Sequence, residues 1–261
     1  MKKISIVIPA RNEERRIEKT LSAYSDYFDD LERKGVIAYE IIVVINASKD
    51  KTEEITKDFS LKNKKIRYLN LERGGKGHAI IEGFKDALKR KNDYIGFVDA
   101  DLASPPKSFY FLIKNMKGYE AAIASRRLKN SFLSPKQTLI RKITGIGFNI
   151  FVRSVLHLKY KDTQCGCKVF REDALREITE SITMSQWAFD IEILYLLKRK
   201  SFEIIELPTI WRSMDDSKVR IFRTTFQMFF SVLQMRIIYS PFRKILRPTK
   251  FLVNLLWKAI K

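Results

Sequence analysis

Acidic residues stop at Asp216. The last 45 residues contain none, although Lys218, Arg220, Arg223, Arg236, Arg243, Lys244, Arg247, Lys250, Lys258 and Lys261 all lie there. Cysteine and histidine are nearly absent, at two residues each. Cys165 and Cys167, one residue apart, cannot easily close a disulfide or furnish a four-ligand zinc site. His78 and His157 cannot form a histidine metal cluster, so a reducing, cytosolic setting and a non-zinc chemistry are expected. No long apolar run is present either. The stretch Thr224–Met235, bounded by Arg223 and Arg236, is far short of the ~20 residues that span a bilayer. Met1-Lys2-Lys3 runs straight into Ile4–Ile8, without the apolar length or cleavage site of a signal peptide. The expectation is a protein without a transmembrane helix.

What remains is a chain of 261 residues with 50 Lys and Arg against 30 Asp and Glu, a formal charge of +20. Such a balance calls for anionic partners: nucleic acid, anionic lipid or phosphate-bearing small molecules. A hydrophobic fraction of 45% excludes a disordered or collagenous chain. Short β-branched runs at Ile4–Ile8, Tyr39–Ile45, Lys65–Leu69, Tyr94–Val98 and Ala121–Ala124 predict buried strands. Between them Glu13–Leu31, Thr52–Leu61, His78–Lys89 and Lys107–Met116 carry apolar residues at helical spacing. Further helices are predicted at Leu139–Leu156, about 172–178 and about 189–198, and a strand at about 203–207. The alternation implies an α/β fold, a mainly parallel sheet with helices on both faces. Ligands of such sheets bind beyond the carboxyl ends of the strands. No Pro, Gly or Ser linker and no internal repeat interrupts the chain. A catalytic unit over 1–218 is expected, followed by basic amphipathic helices over 219–261.

Two strand ends carry chemistry. After the first comes Pro9-Ala10-Arg11-Asn12-Glu13-Glu14, which also suits a helix start with Asn12 as cap. After the fourth comes Val98-Asp99-Ala100-Asp101, whose carboxylates can hold a divalent cation together with substrate phosphates. Arg73-Gly74-Gly75-Lys76-Gly77 lacks the spacing of a P-loop; its glycines let backbone approach a ligand, with Lys76 as a phosphate or ribose contact.

Together these pieces resemble the family-2 glycosyltransferases of GT-A (Rossmann-like) fold: Ile6–Glu14 its nucleotide-binding turn, 73–77 its glycine-rich loop, Asp99-Ala100-Asp101 its metal motif, and Ser125-Arg126 its G-S-R. Asp162–Phe170, Trp187–Glu192 and Ser217-Lys218-Val219 are similar to the dolichyl-phosphate β-glucosyltransferase branch, and the match runs in order over about residues 4–220. The resemblance implies inverting transfer of a hexose, glucose from UDP-glucose, to a polyprenyl or dolichyl phosphate at the cytoplasmic membrane surface. It implies Mg²⁺ or Mn²⁺ at Asp101 and Asp99, and donor contacts from Pro9, Arg11, Glu13, Asn46, Lys76 and Asp99. Asp99, Asp101, Arg126 and Asp190 are the catalytic candidates. Arg126, Arg141, Lys168, Lys218 and Arg220 are the candidates for the acceptor phosphate. Asp190 and Glu192 are open to reading as base, cap or acceptor-site carboxylates.

Two departures from the family pattern are visible. Ile45-Asn46-Ala47-Ser48 replaces its acidic base-contacting motif, so Asn46 is expected to accept from a base N–H. Ala103 stands where mannosyl relatives carry a metal-binding Gln, leaving water or Ser104 to complete the shell. A lipid phosphate also accounts for the scarcity of histidine. With a second pKa near ~6 it arrives ionised and needs positioning rather than a general base. The competing readings are a GDP-mannose-dependent transferase and a basic nucleic-acid-binding protein; no nucleic-acid-binding module is recognisable. The terminal Phe stripe predicts attachment to an anionic membrane surface, or alternatively packing on the catalytic domain or a homo-oligomer interface.

Overall fold

The structure, a computed structural model, describes residues 1–135, 139–183, 188–212 and 221–240, with the side chains of 140, 141 and 221–226 outside the described set. Lys218, Arg220, the Arg141 side chain and the terminal stretch 241–261 therefore lie outside the described residues.

The elements run β1 (Lys2–Ala10), α1 (Ile17–Arg33), β2 (Ile37–Asn46), α2 (Thr52–Lys62), β3 (Ile66–Leu71), α3 (Lys76–Ala87), β4 (Tyr94–Val98), α4 (Pro106–Lys114) and β5 (Ala121–Ser125). Then come β6 (Phe132–Ser134), α5 (Leu139–Leu156), β7 (Cys167–Arg171), α6 (Glu172–Thr179), α7 (Phe189–Arg199), β8 (Ile204–Pro208), β9 (Ile210–Arg212) and α8 (Ile221–Ile238). A seven-stranded sheet has the order β3-β2-β1-β4-β7-β5-β8. Its neighbours pair in parallel except β7, which runs antiparallel to both β4 and β5. The strands β6 and β9 form a separate parallel pair.

Period-two alternation divides the core between the two faces. On β2, Ile41, Val43 and Ile45 join Ile6 and Ile8 beneath α1 and α4, while Ile42 and Val44 join Val7 beneath α3. The second face is extended by α5, α6, α7 and α8. The strand order reverses direction at β1, with β2 on one side and β4 on the other. That reversal opens a crevice at the carboxyl ends of β1 and β4, where open α/β sheets bind ligands.

The first helix begins four residues later than Asn12 would set it. Asn12 takes a positive φ of 54° and its Oδ1 accepts from Lys49 N at 2.8 Å, while Glu13 N donates to Thr52 Oγ1 at 2.8 Å. The side chain ties the β1 turn to the β2 turn instead of capping a helix.

The described part of the segment expected to begin at 219 packs on the core of the sheet. The inner face of α8 enters the main core through Met228, Val232 and Met235, and Phe229 stacks on Phe151 of α5 at 3.9 Å between ring centroids. Its outer face remains apolar and exposed, Phe230 and Ile237 included. Among the described residues no helix is long and apolar enough to cross a membrane.

Candidate active site

Four strand ends converge on the crevice. Gly75, whose φ of 144° excludes most side chains, turns the chain from β3 into α3 and places Lys76 at the first helical position. The turn is held from β2: Asn46, 3% exposed, accepts Gly75 N at its Oδ1 at 2.8 Å. Asn46 was expected to accept from a nucleobase. In the structure its oxygen is engaged in ordering the glycine loop, and the loop could not be so held if that oxygen were pointed away. Arg11 lies across the same loop, its Nη1 close enough that a Cβ on Gly74 would come within 3.1 Å.

Lys76 Nζ pairs with Asp99 Oδ1 at 2.5 Å. Burial opposes its charge, but Asp99, Asp190 and Asp101 outweigh burial and raise its pKa. Asp101 Oδ1 accepts Ala103 N at 2.9 Å; burial, and then the charge of Asp99, push its pKa up. Glu13 is raised too, by burial first and with smaller contributions from Asp101 and Asp99, against a twofold bond from Arg16 at 2.7 and 2.8 Å. Three carboxylates, Glu13, Asp99 and Asp101, thus share one electrostatic neighbourhood with Lys76 and Arg16.

This donor set fits a divalent cation of the Mg²⁺ or Mn²⁺ type. Among the described residues no group of three His, Cys, Asp or Glu converges on one point. The chain can therefore supply one or two carboxylates, with phosphate oxygens and water completing the shell, as is common for Mg²⁺. Ser104, expected beside water as a further ligand, is buried, with its hydroxyl toward the Cys167 thiol.

Asp99 is seated by the turn that precedes β7. Its N–H donates to Gly166 O at 3.1 Å, and a Cβ on Gly166 would sit 2.0 Å from Asp99 Oδ2 and 2.4 Å from its Cγ. Gly166→Ala is therefore expected to swing the Asp99 carboxylate away from Lys76. The clash falls on a side-chain end, so the midpoint of thermal unfolding should move little while turnover falls by about tenfold or more, a barrier change of about 1.4 kcal/mol. Wild-type turnover in this variant would show that the Asp99 position is immaterial.

Behind Asp99 lies an ion pair that the sequence did not announce as such. Lys168 is fully buried, its Nζ donating to Asp190 Oδ1 at 2.5 Å and to Cys165 O at 2.8 Å, 5.3 Å from the Phe97 ring centroid. Lys168 was expected among the acceptor-phosphate ligands. It is not exposed to any acceptor, and its charge is spent on Asp190 and the 165–167 turn. Glu192, also fully buried, holds a different junction, accepting from Thr183 N and Oγ1 and meeting Tyr239 Oη at 2.6 Å beside α8.

Arg126, just past the end of β5, donates Nε and Nη2 to Asp162 at 2.8 and 2.9 Å, and its N–H donates to the same carboxylate at 3.0 Å. Burial would raise the Asp162 pKa, but the Arg126 guanidinium overrides it and holds the carboxyl well below its ordinary range. The guanidinium lies over Trp211 of β9 at 5.7 Å, and Asp99 contributes to its field. Arg126 is thus a fixed cation within electrostatic reach of Asp99, partly open to solvent. Asp162 and Trp211 carry that arrangement without having been singled out. Asp162 stands in the D-T-Q-C-G-C-K run, whose only sequence signal was its resemblance, and Trp211 gave none.

The model of the family described as "Glycosyl transferase family 2" matches residues 5–179, about two thirds of the chain. The chain belongs to glycosyl transferase family 2. It is a glycosyltransferase. It is 32% identical over 247 residues to a dolichyl-phosphate beta-glucosyltransferase of Dictyostelium discoideum, covering 90% of this chain and 74% of that protein. To the protein of the same description from Homo sapiens it is 28% identical, covering 91% of this chain and 76% of the other. The fold is shared with glucosyl-3-phosphoglycerate synthase of Mycobacterium tuberculosis, crystallised with Mn²⁺, uridine diphosphate and phosphoglyceric acid. The TM-score is 0.68 at 18% identity, over 92% of this chain and 80% of that one. The expected GT-A architecture is thereby met, including the helices on both sides of a mainly parallel sheet.

Proposed function

We propose that this family-2 enzyme transfers glucose from UDP-glucose to a polyprenyl or dolichyl phosphate, with inversion, at the cytoplasmic face of a membrane. The observation that carries the reading is the combination of the Asp99–Asp101–Lys76 cluster with an Arg126 that Asp162 fixes within electrostatic reach of Asp99. The cluster suits a nucleotide diphosphate and the arginine an incoming phosphate. The names of the relatives support the sugar and the lipid, and the nucleotide seen in the fold neighbour supports the donor class.

Asp101, with Asp99 beside it, would hold the divalent cation, and Lys76 would lie against the donor phosphates. A cation bound there spreads the charge that builds on the departing diphosphate. Pro9, Arg11 and Glu13 sit at the β1 end where the base and ribose would lie. The acceptor brings its own ionised oxygen, so the chain's task on that side is to position it. Arg126, fixed by Asp162, suits this through the end of the guanidinium that Asp162 leaves free. The phosphate oxygen bonds to the anomeric carbon as the bond to the uridine diphosphate breaks. One displacement on an α-linked donor leaves a β-linked product.

A donor and acceptor panel tests this. Product is expected from UDP-glucose and polyprenyl phosphate in Mg²⁺ or Mn²⁺, with little from GDP-mannose. Equal glucosylation of a free polyprenol would overturn the phosphate acceptor, and preference for GDP-mannose would overturn the donor.

A further inference from the structure

The charge of +20 is not spread along the chain. Two stretches contain no acidic residue: 121–161, with nine Lys and Arg, and 217–261, with ten. The remainder holds 31 basic residues against 30 acidic ones, so nearly the whole excess belongs to these two stretches. They are distant in sequence and joined in the fold. The helix α5 of the first packs against α8 of the second, through the stacked rings of Phe151 and Phe229 and the buried side chains of Val152 and Val232.

What the pair leaves outside is apolar. Leu139, Ile143, Ile146 and Ile150 follow one another at steps of four, three and four along α5, a single helical stripe. All are exposed, Ile143 at 60% and Ile150 at 56%. Phe230 and Ile237 continue the exposed apolar surface on α8. Lys142 and Arg153 on α5, and Arg236 on α8, are exposed beside it. A contiguous apolar surface of this kind marks an interaction site rather than ordinary exposed residues.

We propose that α5 and α8 together form one bilayer-docking platform, and that α5, not the terminal segment alone, seats the protein on anionic lipid. The occupant follows from charge. A second copy of the chain would bring the same basic residues against this face. The chain's own residues 241–261 carry six Lys and Arg and no acidic residue, so they too would add like charge. A bilayer with anionic headgroups answers both features, apolar side chains entering its surface and basic ones meeting its phosphates. The topology gives the platform a use: β6, which leads into α5, pairs with β9, and β9 carries the Trp211 on which Arg126 rests. That use rests on the lipid-phosphate reading; the platform itself does not, and vesicles free of polyprenyl phosphate test it alone.

The full chain is floated with vesicles of phosphatidylcholine, with and without phosphatidylglycerol, at low and raised salt. Wild type should float with the anionic vesicles, less so as salt rises. Ile143→Asp/Ile150→Asp, both at exposed positions, should lower partitioning by about tenfold or more without changing donor hydrolysis. Ile143→Trp provides a readout that does not depend on disrupting the face: the fluorescence of the introduced indole should be quenched by brominated lipid in anionic vesicles only. Wild type that stays unbound, an aspartate variant that floats as wild type does, or an indole signal from Ile143→Trp that brominated lipid leaves unquenched would overturn the proposal. So would a dimer that the aspartate pair converts to monomer without any change in vesicle binding.

Discussion

Asp101→Asn should lower glucosyl transfer by about 10²–10³-fold, the usual effect of removing one preorganised electrostatic group, and leave the protein at least as stable as before. The stability half of the expectation comes from the geometry. An asparagine oxygen can still accept Ala103 N, which Asp101 Oδ1 does at 2.9 Å. Burial and the charge of Asp99 both disfavour the ionised carboxylate, so neutralising it relieves a cost. For an acid whose folded pKa is raised, that cost is present in full at neutral pH, where the group is charged in both states, shrinks as pH falls through the raised folded pKa, and is gone below about pH 4, where the carboxyl is neutral in both states. The variant's advantage in urea midpoint should therefore shrink on acidification. The activity half comes from the proposed role of the site in holding a cation against the donor diphosphate. Uridine diphosphate with Mn²⁺ should raise the melting temperature of wild type and fail to do so for the variant. Full turnover by Asp101→Asn, or undiminished wild-type activity in excess EDTA, would refute the assignment.

The parallel half of the sheet was legible because its strands are short, β-branched and bounded by amphipathic helices, so Tyr94–Val98 and Leu139–Leu156 are found where the pattern put them. The antiparallel β7 was not. Its five residues place Lys168 among apolar neighbours, and a buried lysine is invisible to hydrophobic periodicity because its partner, Asp190, lies 22 residues away. Only a fold that brings α7 onto the face of β4 and β7 explains the charge. The strands β6 and β9, three residues each, are too short to leave a pattern. At the site, Asp99 and Asp101 were legible from their place after a buried strand. The engagement of Asn46 with Gly75, and of Arg126 with Asp162, depends on loops meeting across the sheet and leaves no local trace. The same holds for the acid-free stretch 121–161, whose meaning appears once α5 is seen against α8.

The buried pair of Lys168 and Asp190 should separate stability from placement. Lys168→Met leaves the Asp190 carboxylate without its closest cation in a site where Asp190 is 4% exposed. Breaking a buried pair by removing one partner costs about 3–5 kcal/mol, because the remaining charge is uncompensated. Replacing both partners by apolar residues of similar size is often neutral, so Lys168→Met/Asp190→Leu should recover most of the lost urea midpoint. Turnover should not recover with it. Lys168 Nζ also holds the Cys165 carbonyl at 2.8 Å, and that carbonyl belongs to the turn whose Gly166 receives Asp99 N. A double variant as unstable as either single one would show that the pair is not the source of the loss. A double variant with wild-type turnover would show that Lys168 does not place Asp99. Asp190→Asn distinguishes the remaining role, since its side-chain oxygen can still accept from Lys168. If Asp190 only positions, this variant keeps most of its turnover and the pH–rate profile is unmoved. Loss of turnover at undiminished stability, with disappearance of the acid limb of that profile, would instead make Asp190 a proton acceptor in the reaction.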